Sequence, residues 1–102
     1  MSSLSRNKGS RIEREIVRKH DDAGLPCEKI SRSGYTGPDL ECLGEFKGEV
    51  KARKGGKGWA TIEGWLEGSD FLFLRQDRRD PIVVMTWDMY VDFAHALLRL
   101  EQ

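Results

Sequence analysis

Several features that would point directly to a function are missing from this chain of 102 residues. No run approaches the ~18 apolar residues of a membrane span, and the first residues hold no apolar stretch typical of a secretory signal. We also find no internal repeat, no nucleotide-type phosphate loop and no Ser/His/Asp spacing typical of a hydrolase triad. The lack of a membrane span and of a secretory signal predicts a cytoplasmic protein without a membrane partner.

Cysteine and an excess of one charge are also lacking. Cys27 and Cys42 are the only cysteines and do not have the close spacing of a zinc motif, so we expect reduced packing residues rather than a disulfide. The 17 basic residues are balanced by 17 acidic ones. Their distribution is uneven, because residues 1–57 hold 13 Lys or Arg against 9 Asp or Glu, while residues 58–102 hold 4 against 8. This asymmetry is typical of a protein with one nucleic-acid face.

The length predicts one small domain over residues 1–102, with residues 1–8 as a flexible basic arm that carries Arg6 and Lys8. Apolar residues at helical spacing predict a first helix over residues 11–23. Alternating or continuous apolar patterns predict strands over 25–33, 40–43 and 46–53. A bulge is expected at Gly48. A helix over 59–66, strands over 71–74 and 82–87, and a closing helix over 88–100 complete the predicted order αβββαββα.

Two carboxylates and one amine are spaced as a metal-dependent nuclease needs them, with Asp39 followed by Glu49-Val50-Lys51. On an extended strand, Glu49 and Lys51 project to the same face about 7 Å apart. Two carboxylates and a backbone carbonyl, here that of Val50, can form part of a Mg²⁺ shell, and Mn²⁺ can substitute. The lysine would orient the attacking water and offset phosphate charge. The alternative is a charged β-hairpin without catalysis.

A further acid, Glu13, falls within the apolar face of the first predicted helix. A buried carboxylate is costly unless it is paired or binds a metal ion, for which a water-mediated contact is one option. A capping box with Ser10 is the structural alternative. His20 lies beside Glu13 on this face, and we expect a hydrogen-bonded buried histidine rather than a site residue.

Four blocks of sequence together resemble one nuclease family. They read Lys8-Gly9-Ser10-Arg11-Ile12-Glu13-Arg14-Glu15, Ile30-Ser31-Arg32-Ser33-Gly34, Pro38-Asp39-Leu40 and Glu49-Val50-Lys51. In order and approximate spacing this set resembles the archaeal-type Holliday junction resolvases of the PD-(D/E)xK superfamily. The resemblance implies an α/β, restriction-endonuclease-like core with a mixed sheet flanked by helices. It also implies a catalytic set of Glu13, Asp39, Glu49 and Lys51, with Arg14, Arg32 and Ser33 near the scissile phosphate.

The segment after Lys51 is basic and rich in glycine, so Arg53, Lys54 and Lys57 are expected to contact DNA phosphates, unless the loop is merely solvated. The closing helix has a broad apolar surface, which together with Trp59 and Trp65 predicts a homodimer interface, although these residues could instead form the core. The sequence therefore predicts a Mg²⁺-dependent endonuclease that cleaves four-way DNA junctions. The alternatives are a general nickase or repair nuclease of the same superfamily and an inactive DNA-binding protein.

Overall fold

A computed structural model describes the backbone of residues 3–32, 34 and 36–100, and the side chains of these residues from Gly9 onward. In chain order the elements are α1 (Ser3–Asp22), β1 (Cys27–Lys29), β2 (Leu40–Cys42), β3 (Phe46–Gly48), α2 (Lys57–Leu66), β4 (Phe71–Leu74), β5 (Ile82–Met85) and α3 (Trp87–Leu100). This is the predicted α/β order αβββαββα. Where the sequence predicts a single domain, the chain divides into two compact units, Met1–Arg53 and Lys54–Gln102.

Helix α1 presents one sheltered face and one solvated face. Ile12, Glu13, Ile16, Val17 and His20 are buried or half-buried at helical spacing, while the charged residues between them are exposed. The predicted face of this helix is therefore confirmed. The helix begins at Ser3, within the segment 1–8 for which the sequence predicts a flexible arm. Gly9 does not end the helix, because one glycine in a helix costs only about 1 kcal/mol of stability.

A glycine cap ends α1 and fixes the direction of the chain beyond it. Gly24 has a φ of 73°, its N–H donates to the Asp21 carbonyl at 3.0 Å, and the Leu25 N–H donates to the His20 carbonyl at 2.9 Å. This pair of bonds is the Schellman motif, which satisfies carbonyls that the helix leaves open. Leu25 is then buried, 2% exposed, so the cap leads directly into the core.

The first unit contains a three-stranded antiparallel sheet in the order β1-β2-β3. Leu40 of β2 is 2% exposed and contributes to the core, with Leu25 and Leu43. The register between β2 and β3 is continuous as far as Leu40 opposite Gly48. The next backbone bond, from the Asp39 N–H to the Gly48 carbonyl, is one residue out of that register, so the ladder is disrupted at Gly48, where the sequence predicts a bulge. A Cβ at Gly48 would meet the Cys42 sulfur at 3.4 Å and the Leu40 Cβ at 3.5 Å, so an added methyl group would lie in contact with both side chains.

The second unit contains a separate two-stranded antiparallel sheet of β4 and β5. Every strand pair in the described residues is antiparallel, so a mixed sheet is not found there. The connections within both sheets are too short for the crossover that parallel strands require. The rings of Phe71 and Phe93 meet edge to face at 5.5 Å and join β4 to α3. Among the described residues of this unit only Ala94 is buried.

Within the described residues, none of the helices combines the length and apolar character needed to cross a membrane.

Candidate active site

The β2–β3 hairpin brings Asp39 and Glu49 to the same end of the sheet. Asp39 immediately precedes β2 and Glu49 immediately follows β3. Because Leu40 pairs with Gly48, the two acids flank the last pair of the antiparallel ladder. The predicted strand over residues 46–53 is shorter than expected and ends at Gly48, so Glu49, Val50 and Lys51 lie in an irregular segment.

Hydrogen bonds to three neighbouring segments hold Asp39. Its N–H donates to the Gly48 carbonyl at 3.0 Å, and its own carbonyl accepts the N–H groups of Ile30 at 2.9 Å and Ser31 at 3.1 Å. Its carboxylate Oδ2 accepts the Val50 N–H at 2.9 Å. The carboxylate therefore contacts the backbone between Glu49 and Lys51. If the β2–β3 ladder continued past Gly48, backbone groups would bond to each other, and the Val50 N–H would not bond to a side chain.

Glu49 and Lys51 project together, as the sequence predicts, although neither residue lies on a strand. The Lys51 Nζ is 3.4 Å from the Glu49 Oε1, and the side chains are 68% and 54% exposed respectively. An ion pair so exposed contributes about 0–1 kcal/mol to stability. Substitution of either residue should therefore have little effect on folding.

Glu13 is largely buried, with a side chain that is 13% exposed, and its carboxylate is paired. Its Oε2 accepts the Ser31 hydroxyl at 2.6 Å and lies 3.7 Å from the Lys29 Nζ. The capping box with Ser10 is not formed, because Ser10 lies inside α1 and its hydroxyl accepts a bond from the Arg14 guanidinium at 3.0 Å. Glu13 is therefore paired across the unit, and the cost of its burial is offset.

Ser31 connects the two half-buried acids. Its hydroxyl donates to Glu13, while its backbone N–H donates to the Asp39 carbonyl. The Lys29 Nζ also donates to the Ser31 carbonyl at 3.2 Å. Three acids of the predicted catalytic set thus lie in the first unit, each held by a different donor, and a network through Ser31 joins Glu13 to Asp39.

The predicted DNA-contacting cations fall in both units. In the first unit, Arg14, Arg32 and Arg53 are exposed. Lys54 and Lys57 are exposed in the second unit, where Lys57 begins α2. The backbone of Arg6 and Lys8 is part of α1, but their side chains and the whole of Ser33 lie outside the described residues.

A second group of chemically active side chains comes from α1, β1 and β2, and the sequence did not predict it. His20, Cys27 and Cys42 bring three potential metal-ligand atoms within 4.8 Å of one another, the only such group of His, Cys, Asp or Glu in the part of the chain that the structure describes. The acids of the predicted catalytic set do not form one. The separation of the cysteines in the sequence concealed the group. A signal was nevertheless present, because Cys27 and Cys42 fall in two different predicted strands, 25–33 and 40–43, that could pair.

His20 and Cys42 are buried, and Cys27 is half-buried. The Nδ1 of His20 lies 2.8 Å from the Ile16 carbonyl oxygen, so the prediction of a hydrogen-bonded buried histidine is confirmed. Burial raises the pKa of the Cys27 thiol to about 12, and the hydrogen bond with Cys42 and the nearby charges of Cys42, Asp21 and Glu28 act in the same direction. At neutral pH this thiol is protonated and a weak nucleophile.

Neither a protein-family model nor a curated protein nor a solved structure matches this chain.

Proposed function

We propose that this protein is a Mg²⁺-dependent DNA endonuclease with a restriction-endonuclease-like core, of the PD-(D/E)xK type, that cleaves four-way junctions in the cytoplasm. The observation that carries the proposal is the bond from the Val50 N–H to the Asp39 carboxylate, beside the Glu49–Lys51 pair. It joins the Asp half of the sequence pattern to the Glu-x-Lys half at one end of one hairpin. A charged hairpin without catalysis does not require an aspartate to bond the backbone at this point.

Asp39, Glu49 and the Val50 carbonyl would hold the metal ion, since hard cations prefer oxygen ligands. A bound divalent ion supplies Lewis acidity and lowers the pKa of a coordinated water. In the proposed reaction, a water oxygen forms a bond to phosphorus and one P–O ester bond breaks, which leaves a hydroxyl on one strand end and a phosphate on the other.

Lys51 would donate to the phosphate oxygens as negative charge develops on them. In support, its ammonium lies 3.4 Å from the carboxylate of Glu49, one of the proposed metal ligands. The part of Glu13 is different. Its bonds to Ser31 and Lys29 leave it in a supporting position, from which it would contact a metal-bound water rather than the ion. Arg14, Arg32 and Ser33 would contact phosphates beside the scissile one.

Exposed cations supply the affinity for DNA in this proposal. Arg53, Lys54 and Lys57 follow the proposed catalytic segment, and their exposure leaves the charges available to phosphates. Arg6 and Lys8 would extend the basic surface. Because these contacts are to the backbone of DNA, they provide affinity without sequence specificity, and selectivity must come from the shape of the substrate.

A homodimer would supply that selectivity, since a four-way junction has two-fold symmetry and needs two opposed nicks. The second unit supports this part of the proposal with large apolar side chains at its surface. Trp59, Trp65, Phe93 and Leu100 are 42%, 60%, 53% and 84% exposed. Sedimentation at micromolar concentration should then give about twice the chain mass of 11.7 kDa.

The proposed activity is tested with end-labelled junction, flap and plain duplex DNA. Mg²⁺ and Mn²⁺ should support cleavage of the junction, while Ca²⁺ should permit binding with little cleavage because its looser shell positions water poorly. Cleavage should stop in EDTA and return when excess Mg²⁺ alone is added. Full activity in EDTA would exclude the proposal. Equal cleavage of junction and plain duplex would favour a general nickase or repair nuclease, and binding without any cleavage would favour an inactive DNA-binding protein.

A further inference from the structure

We propose that His20, Cys27 and Cys42 form a binding site for one thiophilic divalent ion of the Zn²⁺ class. This site uses none of the residues assigned to the proposed nuclease and does not depend on that activity. Sulfur and imidazole ligands favour Zn²⁺ over Mg²⁺, so the two sites differ in the ion they select.

The position of the two cysteines in the sheet brings their sulfur atoms together. Cys27 and Cys42 are directly opposite each other in the β1–β2 ladder. The bond from the Leu43 N–H to the Pro26 carbonyl, 2.8 Å, shows that this is a non-hydrogen-bonded pair, the type whose side chains are closer. The Sγ atoms are 3.4 Å apart. Two thiolates on one tetrahedral Zn²⁺ have their sulfur atoms about 3.8 Å apart, and the sulfur atoms of a disulfide are about 2 Å apart. The observed distance is therefore nearer to that of two zinc ligands.

The hydrogen bond of His20 sets its tautomer. A carbonyl oxygen can only accept, so the 2.8 Å contact between Nδ1 and the Ile16 carbonyl requires the proton to be on Nδ1. The lone pair of the neutral ring is then on Nε2. Metal-binding histidines commonly have this arrangement, in which one nitrogen donates to a carbonyl and the other binds the ion. The Schellman cap at Gly24 fixes the backbone of His20 through its carbonyl.

The surroundings of the three ligands suit a cation. The carboxylates of Asp21 and Glu28 are near enough to Cys27 to act on its thiol electrostatically, and negative charge near the ligands favours a bound cation. Gly48 contributes no side chain next to the Cys42 sulfur, where a Cβ would lie 3.4 Å from it. Three protein ligands leave the fourth tetrahedral position for water or an external ligand. On binding, each thiol loses its proton to solvent and bonds the ion as a thiolate.

A metal ion at this point would join the end of α1 to β1 and β2. The first unit has only about 50 residues and few buried side chains, and units this small commonly rely on a metal ion or a disulfide for stability. Zn²⁺ should therefore raise the melting temperature of the reduced protein.

Co²⁺ titration of the full chain under a phosphine reductant tests the site, because tetrahedral thiolate-bound Co²⁺ has a near-ultraviolet charge-transfer band and intense visible bands. We expect one Co²⁺ per chain, displaced by one equivalent of Zn²⁺. His20→Gln should weaken binding at least tenfold, while His95→Gln, which alters the only other histidine, should bind as the original protein does. Absence of the charge-transfer band, or equal affinity in His20→Gln, would overturn the proposal.

A measurement on the unaltered chain tests the site without depending on whether a variant folds. In EDTA both cysteines of the reduced protein should react only slowly with an alkylating agent, because Cys42 is buried and the Cys27 thiol is protonated. One equivalent of Zn²⁺ should slow this reaction at least tenfold further over a time course of hours, with mass spectrometry identifying the modified residues. Excess Mg²⁺ should give no protection, which separates this site from the proposed nuclease centre. Alkylation that is equally fast with and without Zn²⁺ would contradict the site.

Discussion

The two units of the chain bury different kinds of residue. Five of the six buried residues among those described belong to Met1–Arg53, and one of these is the polar His20. Of the eight large apolar side chains that are exposed in the described part of the chain, seven belong to Lys54–Gln102. A small interior that can hold charged and sulfur-containing groups is suited to a site, while an apolar exterior is suited to contact with another molecule. Under the proposed function, the first unit would therefore carry the chemistry and the second unit the contact between copies.

The largest expected effect concerns the lysine of the proposed catalytic pair. Lys51→Ala should lower the rate of junction cleavage roughly 10²- to 10⁴-fold, because it removes the group proposed to act on the phosphate in the transition state. Lys47→Ala is a matched control, since Lys47 also forms an exposed ion pair, with Glu41, in the same unit. Single-turnover cleavage rates measure both. A loss of equal size in the two variants would assign Lys51 a general electrostatic role.

A matched pair of leucine substitutions tests the difference in burial between the units. Leu40→Ala should cost about 2–5 kcal/mol of unfolding free energy, because Leu40 is 2% exposed in the core. Leu100→Ala should cost less than about 0.5 kcal/mol, because that side chain is 84% exposed. Denaturant unfolding of dilute protein measures both. A large cost for Leu100→Ala that grows with protein concentration would show that the second unit buries this residue in an assembly.

Two glycine substitutions should have smaller effects of opposite sign. Gly24→Ala should destabilise by roughly 1–2 kcal/mol, because its φ of 73° is unfavourable for any residue with a Cβ. Gly64→Ala should stabilise by about 0.5–1 kcal/mol, because Gly64 is inside α2 and an added Cβ meets no atom within 4 Å. Thermal unfolding compares the two. Equal destabilisation by both substitutions would mean that the positive φ of Gly24 in the α1 cap is not what makes its substitution costly.

Local patterns in the sequence were sufficient for much of the fold. The spacing of Ile12, Glu13, Ile16 and His20 predicts the sheltered face of α1, and the pattern of the closing helix predicts α3 within one residue at its start. These features depend on residues three or four apart. The α/β element order follows from the same kind of information.

Features that depend on distant residues were not predictable in this way. The group of His20, Cys27 and Cys42 requires the register of β1 on β2 and the cap of α1, and no local pattern specifies both. The partners of Glu13 were likewise hidden, since Ser31 is 18 residues away in the chain. Glu49 and Lys51 were predicted to share a face of an extended strand, but β3 ends at Gly48. Their charged groups nevertheless lie 3.4 Å apart, because residues so close in sequence can pair without a strand.

The central claim is that the Asp39 carboxylate serves a metal-dependent phosphodiesterase, and the most direct measurement is Mg²⁺-dependent junction cleavage by Asp39→Asn. Asparagine can still accept the Val50 N–H through its amide oxygen, so the substitution removes charge while preserving the backbone contact. Asp77→Asn, at an exposed aspartate of the second unit, is the control. We predict a loss of cleavage by orders of magnitude in Asp39→Asn with unchanged junction binding, and full activity in the control. Undiminished cleavage by Asp39→Asn would contradict the claim.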